Sequence, residues 1–121
     1  MEATDGLQLG NWLFDKSGIP KQVTEIYDDS VTLGGELNHI STVEPIPLTA
    51  EILGKNGFVE RIEKHFRWDY DEGIFINADF TVEEPFASIH NRCYFATPVC
   101  WYVHQLQNAM RMCGIEMNFI V

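Results

Sequence analysis

The residues best equipped for chemistry lie late in the chain, where His90-x2-Cys93 is followed by Cys100-x3-His104. Thiolate sulfur and imidazole nitrogen in a tetrahedral set of four would suit zinc. On a helix, Cys100 and His104 stand four apart and would share one face. Against convergence of the two pairs, the seven-residue step from Cys93 to Cys100 contains Pro98. The competing reading is core thiols with a surface or hydrogen-bonded histidine. The same residues admit a second chemistry. A cysteine in the first turn of a helix has its thiol pKa lowered by the dipole, and His104, one turn on, would serve as base. No third polar residue is identifiable as the orienting member, and thiol enzymes assemble such partners from distant segments. Asp69-x-Asp71-x-Gly73 has the start of a calcium loop, but the glutamate needed at its twelfth position is Phe80 here. A hairpin turn accounts for those residues. Glu83-Glu84 and Asp28-Asp29 offer paired carboxylates for acid–base work, and adjacent acids on a turn are more often simply solvated. The sequence therefore assigns no catalytic residue, no resident metal and no cofactor.

The polar residues of the same region point to contact. His104, Gln107, Asn108 and Arg111 recur at spacings of three and four, which places them on one helical face. Together with Gln105 and Trp101 they are the candidates for binding a partner. Their amides would bond either the backbone of a neighbouring strand or a partner chain. Trp101 and Tyr102 make this helix apolar on more than one side, the pattern of a helix between layers or in a dimer.

Positioning these residues requires a set of short elements. Leu9 to Leu33 reads as β structure: Trp12 and Phe14 alternate with Leu13 and Asp15, and Asp15-Lys16-Ser17-Gly18 supplies a turn. Val23 and Ile26 lie on a return strand, Asp28-Asp29-Ser30 reverses the chain, and Val31-Thr32-Leu33 follows until Gly34-Gly35 breaks it. His39 to Val43 reads as a further strand, and so many short strands suit a small, strongly bent SH3-like barrel. Pro45 and Pro47 keep the chain extended, Thr49 then caps a short helix with Glu51 in its first turn, and Gly57-Phe58 ends it. Strands resume from Glu60, with a hairpin joining Phe66–Trp68 to Ile74–Ile76 and further strands at 80–82 and 93–95. Thr97-Pro98 predicts the start of the longer helix, with Val99, Val103, Leu106, Met110 and Cys113 on its apolar face and Gly114 as its stop. Ile115, Met117, Phe119 and Val121 alternate with polar residues as in a closing strand. The sum is an α+β domain, mostly antiparallel sheet with an SH3-like N-terminal portion, one short helix and one longer one.

Two of these motifs are specific in combination: Pro45-Ile46-Pro47-Leu48-Thr49 with Ile52-Leu53, and Tyr102-Val103-His104-Gln105-Leu106-Gln107-Asn108. With an opening near Leu9-Gly10-Asn11 and the Gly57-Phe58 exit, the chain resembles a family of small proteins encoded by phages and prophages of gut bacteria. The resemblance spans about Leu9 to Gly114 and is loose from Glu60 to Pro98. It implies the fold above and a phage or prophage setting. It supplies no activity and no catalytic residues, and it carries over His104 but none of the cysteines.

At 121 residues the chain fits one domain over 1–121, with residues 1–8 read as a flexible N-terminus, and it is long enough for a real core. An apolar share of 45% excludes a disordered chain. No apolar run approaches a membrane span. Met1-Glu2-Ala3-Thr4-Asp5 has neither a basic n-region nor an apolar h-region, and three cysteines are no disulfide framework, so a cytoplasmic chain is expected. Net charge is −10, unevenly spread: Lys21 to Lys55 encloses six acids and no Lys or Arg, as does Arg67 to Arg92. Such a surface repels phosphate backbones, which excludes direct nucleic-acid binding. Three readings follow. The first is a non-enzymatic protein-binding or assembly module, acting on a protein partner or on a second copy. The second is an acidic nucleic-acid mimic that inhibits a host DNA-binding protein. The third is a Cys/His metal or thiol enzyme.

Overall fold

The computed structural model describes residues 6–71, 73–91 and 98–121. Its N-terminal sheet is set by turn chemistry. Asp15 accepts from the backbone N–H groups of Ser17 and Ile19 at 2.8 and 3.0 Å, and Gly18 takes φ +78°. That reversal joins β1 (Trp12–Phe14) to β2 (Pro20–Ile26). β3 (Ser30–Leu33), β4 (Glu36–His39) and β5 (Glu44–Pro45) complete an antiparallel sheet ordered β4-β3-β2-β1-β5. The last short strand thus returns beside the first, the strand order of an SH3-like sheet. β4 and β5 are not hydrogen-bonded neighbours, so the ladder stays open. The strand expected over 39–43 is corrected. His39 Nδ1 accepts from the Ser41 N–H at 3.1 Å, which turns the chain into a 3-10 segment, Ile40–Thr42, before β5.

α1 (Ala50–Lys55) follows the two prolines. Thr49 Oγ1 accepts from the Ile52 N–H at 3.1 Å, capping the helix as its sequence predicts. At the other end Gly57 sits at φ +87°, Phe58 N–H donates to the Leu53 carbonyl at 3.1 Å, and Gly57 N–H donates to Gly54 at 3.2 Å. This pair of bonds is a Schellman ending, and it delivers both Leu53 and Phe58 to the core.

A second antiparallel sheet runs β6 (Val59–Ile62), β7 (His65–Asp71), β8 (Ile74–Asp79) and β9 (Phe86–Asn91), hydrogen-bonded in that order. The strand expected at 80–82 is a turn instead. Asp79 Oδ1 accepts from the Thr81 N–H at 2.8 Å, an Asx turn that outweighs the β propensity of Phe80, Thr81 and Val82. The strand expected at 93–95 lies outside the described residues.

α2 (Val103–Met112) begins later than the Thr97-Pro98 signal predicts. Thr97 itself lies outside the described residues. Cys100 is extended and exchanges two backbone bonds with Ala87, at 2.7 and 2.8 Å, so no helix runs through it. Val99 is consequently exposed and off the apolar face, while Val103, Leu106 and Met110 are buried. Gly114 at φ +73° closes the helix, with Ile115 N–H bonded to the Met110 carbonyl at 2.9 Å. The predicted closing strand is not one. Ile115 and Phe119 are buried and Ile120 is exposed, as alternation requires, but no strand ladder forms there.

Two cores result. A small one gathers Leu13, Val23, Val31, Leu33 and Val43 inside the first sheet. The larger joins the second sheet, both helices and the tail, with Leu53, Ile76, Ala87, Leu106 and Phe119 among its residues. β1 is the common wall: Leu13 enters the small core while Trp12 and Phe14 pack on the large one. Among the described residues no helix is long and apolar enough to cross a membrane.

Candidate functional site

The late start of α2 dissolves the helical Cys100/His104 pair. Cys100 sits in the core at 4% exposure, and burial pushes its thiol up to about 11, with Cys113 adding to the rise. This is the reverse of the dipole-activated thiol that the sequence allowed. His104 is fully buried in the first turn of α2, with its ring stacked on Tyr102 at 6.1 Å. His90 lies on the other side of the second sheet. Its neighbour Ile89 points into the core, so His90 points away, stacked on Phe75 at 5.0 Å and bonded to Ser88 Oγ at 2.9 Å. Cys93 is outside the described residues. Among the described residues no three His, Cys, Asp or Glu side chains come together to hold a metal.

The polar face of α2 is engaged within the chain. Gln107 Oε1 accepts from the Trp12 N–H at 2.9 Å, and its Nε2 donates to the Gly10 carbonyl at 3.1 Å. Asn108 Oδ1 accepts from Asn11 Nδ2 at 2.9 Å, and Asn108 Nδ2 donates to the Gly6 carbonyl at 2.7 Å. Arg111 Nη1 donates to Gln8 Oε1 at 3.0 Å. These side chains fasten the segment leading into β1 onto the helix. Gln105 faces the other way along the chain. Its Oε1 accepts from the backbone N–H groups of Trp101 and Tyr102, at 2.8 and 3.2 Å, which satisfies two donors at the helix start.

Of the concave surfaces on the described residues, two gather residues that the sequence singles out, His90 in one and Trp101 in the other. One, of about 540 Å³, lies on the outer face of the second sheet and is lined by Arg61, His65, Arg67, Phe86 and His90 among others. It concentrates basic groups on an acidic protein, but those groups are already engaged. Asp69 pairs with Arg61 at 3.3 Å and with Arg67 at 3.0 Å, Asp79 faces His65 at 3.9 Å, and Arg67 lies over the Phe75 ring at 3.9 Å. With two arginines set against two aspartates, the face has little net field for an anion.

The other concavity, of about 370 Å³, holds the Trp101 that the sequence singles out. Its floor is a short antiparallel pairing. Val103 N–H donates to the Ile46 carbonyl at 2.8 Å and Leu48 N–H to the Trp101 carbonyl at 3.1 Å, which sets Pro47 opposite Tyr102. That is a non-hydrogen-bonded pair, so Pro47 loses no ladder bond for want of an N–H, and the facing side chains stand close. Pro85, Glu83 and Glu84 complete the rim. Trp101 is 41% exposed although its backbone is fixed on both sides, by Leu48 and by Gln105. Glu83 and Glu84 are exposed, and neither has an ion-pair partner among the described residues. The groove therefore combines a held aromatic and proline wall with two carboxylates that no described residue pairs. Comparison with known proteins adds no assignment: no family model, no curated protein and no solved structure matches the chain.

Sequence reasoning singled out Trp101 and Gln105 but missed Pro47, Glu83, Glu84 and Pro85 as their neighbours. By type and spacing the glutamates are solvated acids, and it takes two long-range pairings, Ile46–Leu48 with Trp101–Val103 and Ala87 with Cys100, to bring these segments to one place.

Proposed function

We propose that this protein works by contact, as a binding or assembly module of phage or prophage origin in the bacterial cytoplasm, with the Trp101 groove as its contact site. The observation that carries the reading is the exposure of Trp101 on a fixed backbone. A large aromatic side chain left in solvent on a preorganised segment is what binding hot spots use, because little conformational entropy remains to be lost on association. The thiol-enzyme reading loses support from the raised Cys100 pKa. Phosphate mimicry loses support from the placing of the acids. Glu25, Glu36 and Glu44 belong to the first sheet, whereas Asp69 belongs to the second and is held by two arginines.

The test is a photo-crosslinking side chain at position 101, with one at Met112, 81% exposed, as control. In host cells position 101 should give a discrete adduct, with another protein or with a second copy, that position 112 does not. Indistinguishable patterns from the two positions would remove the groove as the contact site.

A further inference from the structure

We infer that the Trp101 groove receives a lysine or arginine side chain carried on an extended segment of a partner protein. The inference rests on the contact reading above and specifies the chemistry of the occupant. Charge complementarity carries it. Glu83 and Glu84 stand together at this rim with no ion-pair partner among the described residues, such as Asp15, Glu36, Glu51 and Asp69 have in a Lys or Arg. Trp101 and Tyr102 line the same groove as the two carboxylates, and Trp101 is 41% exposed. A cation over an indole face is attracted by the ring quadrupole, and Trp is the strongest of the aromatic partners. The methylene stem of a Lys or Arg would lie along Pro47 and Pro85, which offer apolar surface and no competing charge. An anionic or neutral occupant would gain the apolar contact alone and, if anionic, would face two like charges. A partner segment is favoured over a free amine because the carboxylates are exposed, and an isolated ion pair there is worth little without neighbouring contacts.

The probe is a set of blocked tripeptides, Gly-Arg-Gly, Gly-Lys-Gly and Gly-Gln-Gly, titrated into the full ¹⁵N-labelled chain. The readout is the indole N–H resonance of Trp101, assigned by its loss in Trp101→Phe. Trp12, whose indole donates to the Phe119 carbonyl at 2.7 Å, and Trp68 serve as internal controls for an unchanged fold. The arginine and lysine peptides should shift Trp101 alone, with the glutamine peptide silent. The Glu83→Gln/Glu84→Gln double variant should weaken binding roughly three- to tenfold. Raising the salt should weaken the wild type and leave the double variant nearly unaffected. No shift up to roughly 10 mM peptide, an equal response to the glutamine peptide, or unchanged affinity in the double variant would each overturn the inference. The two readings fail separately. A position-101 adduct with peptides silent retains contact and removes the cation, whereas peptide binding without any adduct retains the cation site and removes the cellular contact.

Discussion

The side chain of Asn56 clasps the backbone of Ile120 through both of its polar atoms. Oδ1 accepts from the Ile120 N–H at 2.9 Å, and Nδ2 donates to the Ile120 carbonyl at 2.7 Å. The same Nδ2 also donates to the Ile52 carbonyl at 2.8 Å, so one buried amide fastens the end of α1 to the tail. An asparagine thus supplies the pair of bonds that a neighbouring strand would have given.

Replacing Asn56 with Ala should cost about 2–4 kcal/mol, because it removes three bonds and leaves buried partners unsatisfied. Asn56→Asp should be no milder, since its carboxylate keeps the acceptor for the Ile120 N–H but sets an oxygen against two carbonyls. Urea unfolding of the three proteins measures this. A loss below about 0.5 kcal/mol in Asn56→Ala would mean that water replaces the clasp.

Two residues on one face of α2 should differ sharply. Gln107 is nearly buried and serves both the Trp12 N–H and the Gly10 carbonyl, so Gln107→Ala should destabilise by about 1–3 kcal/mol. Arg111 makes an exposed bond to Gln8, and Arg111→Ala should stay within about 0.5 kcal/mol. Thermal or urea denaturation distinguishes them. Equal losses would show that the helix face acts as one unit and not bond by bond.

The Asp15–Lys21 pair predicts a pH dependence at both ends of the scale. The Lys21 ammonium at 2.9 Å, aided by the Ile19 and Ser17 N–H groups, holds the Asp15 carboxyl down at about 2, against 3.8 normally. A lowered acid stabilises the fold above its unfolded pKa, and that contribution fades as pH falls through the folded value. Lys21 is raised above 10.5 by the same contact, so its contribution is full below that pH and fades as pH rises through the folded value. In Asp15→Asn, Tm should lie below wild type at neutral pH, and the two curves should converge as pH approaches about 2. Parallel curves throughout acid would assign the pair no role.

Thiol reactivity separates the cysteines. In a Cys93→Ser/Cys113→Ser background the remaining Cys100 thiol should react with an aromatic disulfide reagent at pH 8 only as fast as the chain opens, since burial holds its pKa near 11. Denaturant should bring full and rapid labelling. Prompt labelling of the native protein would show that Cys100 reaches solvent without unfolding.

Local chemistry was the readable part of this sequence. Thr49, Gly57 and Gly114 act within a few residues of themselves, and each performs the capping role that its type and position predict. The Asp15 turn and the β7–β8 hairpin were legible for the same reason. Errors arose where a distant partner decided the outcome. Thr97-Pro98 has every local mark of a helix start, yet the backbone bonds from Ala87 hold Cys100 extended. β9 carries little local signal because Ala87, Ser88 and Asn91 are poor strand formers on their own, and its ladder with β8 supplies what their propensity lacks. The tail shows the intermediate case. Its alternation correctly foretold which side chains are buried, but the backbone partner proved to be a side chain 64 positions away. The groove was hidden for the same reason, its walls being joined by the distant pairings of Ile46–Leu48 with Trp101–Val103 and of Ala87 with Cys100.

The grip of Gln107 on the segment around Gly10 and Trp12 also sets a timetable. Donor and acceptor are 95 residues apart for Trp12 and 97 for Gly10. At roughly 5–20 residues per second on the ribosome, the first strand waits on the order of 5–20 s for the helix that fastens it. During that interval the small core of Leu13, Val23, Val31, Leu33 and Val43 has all of its members, whereas Trp12 and Phe14 have no α2 to pack against. A nascent chain stalled before Val103 should therefore bind a hydrophobic dye or a chaperone through β1. Release of that ligand as α2 emerges would mark the moment at which the two halves become one structure.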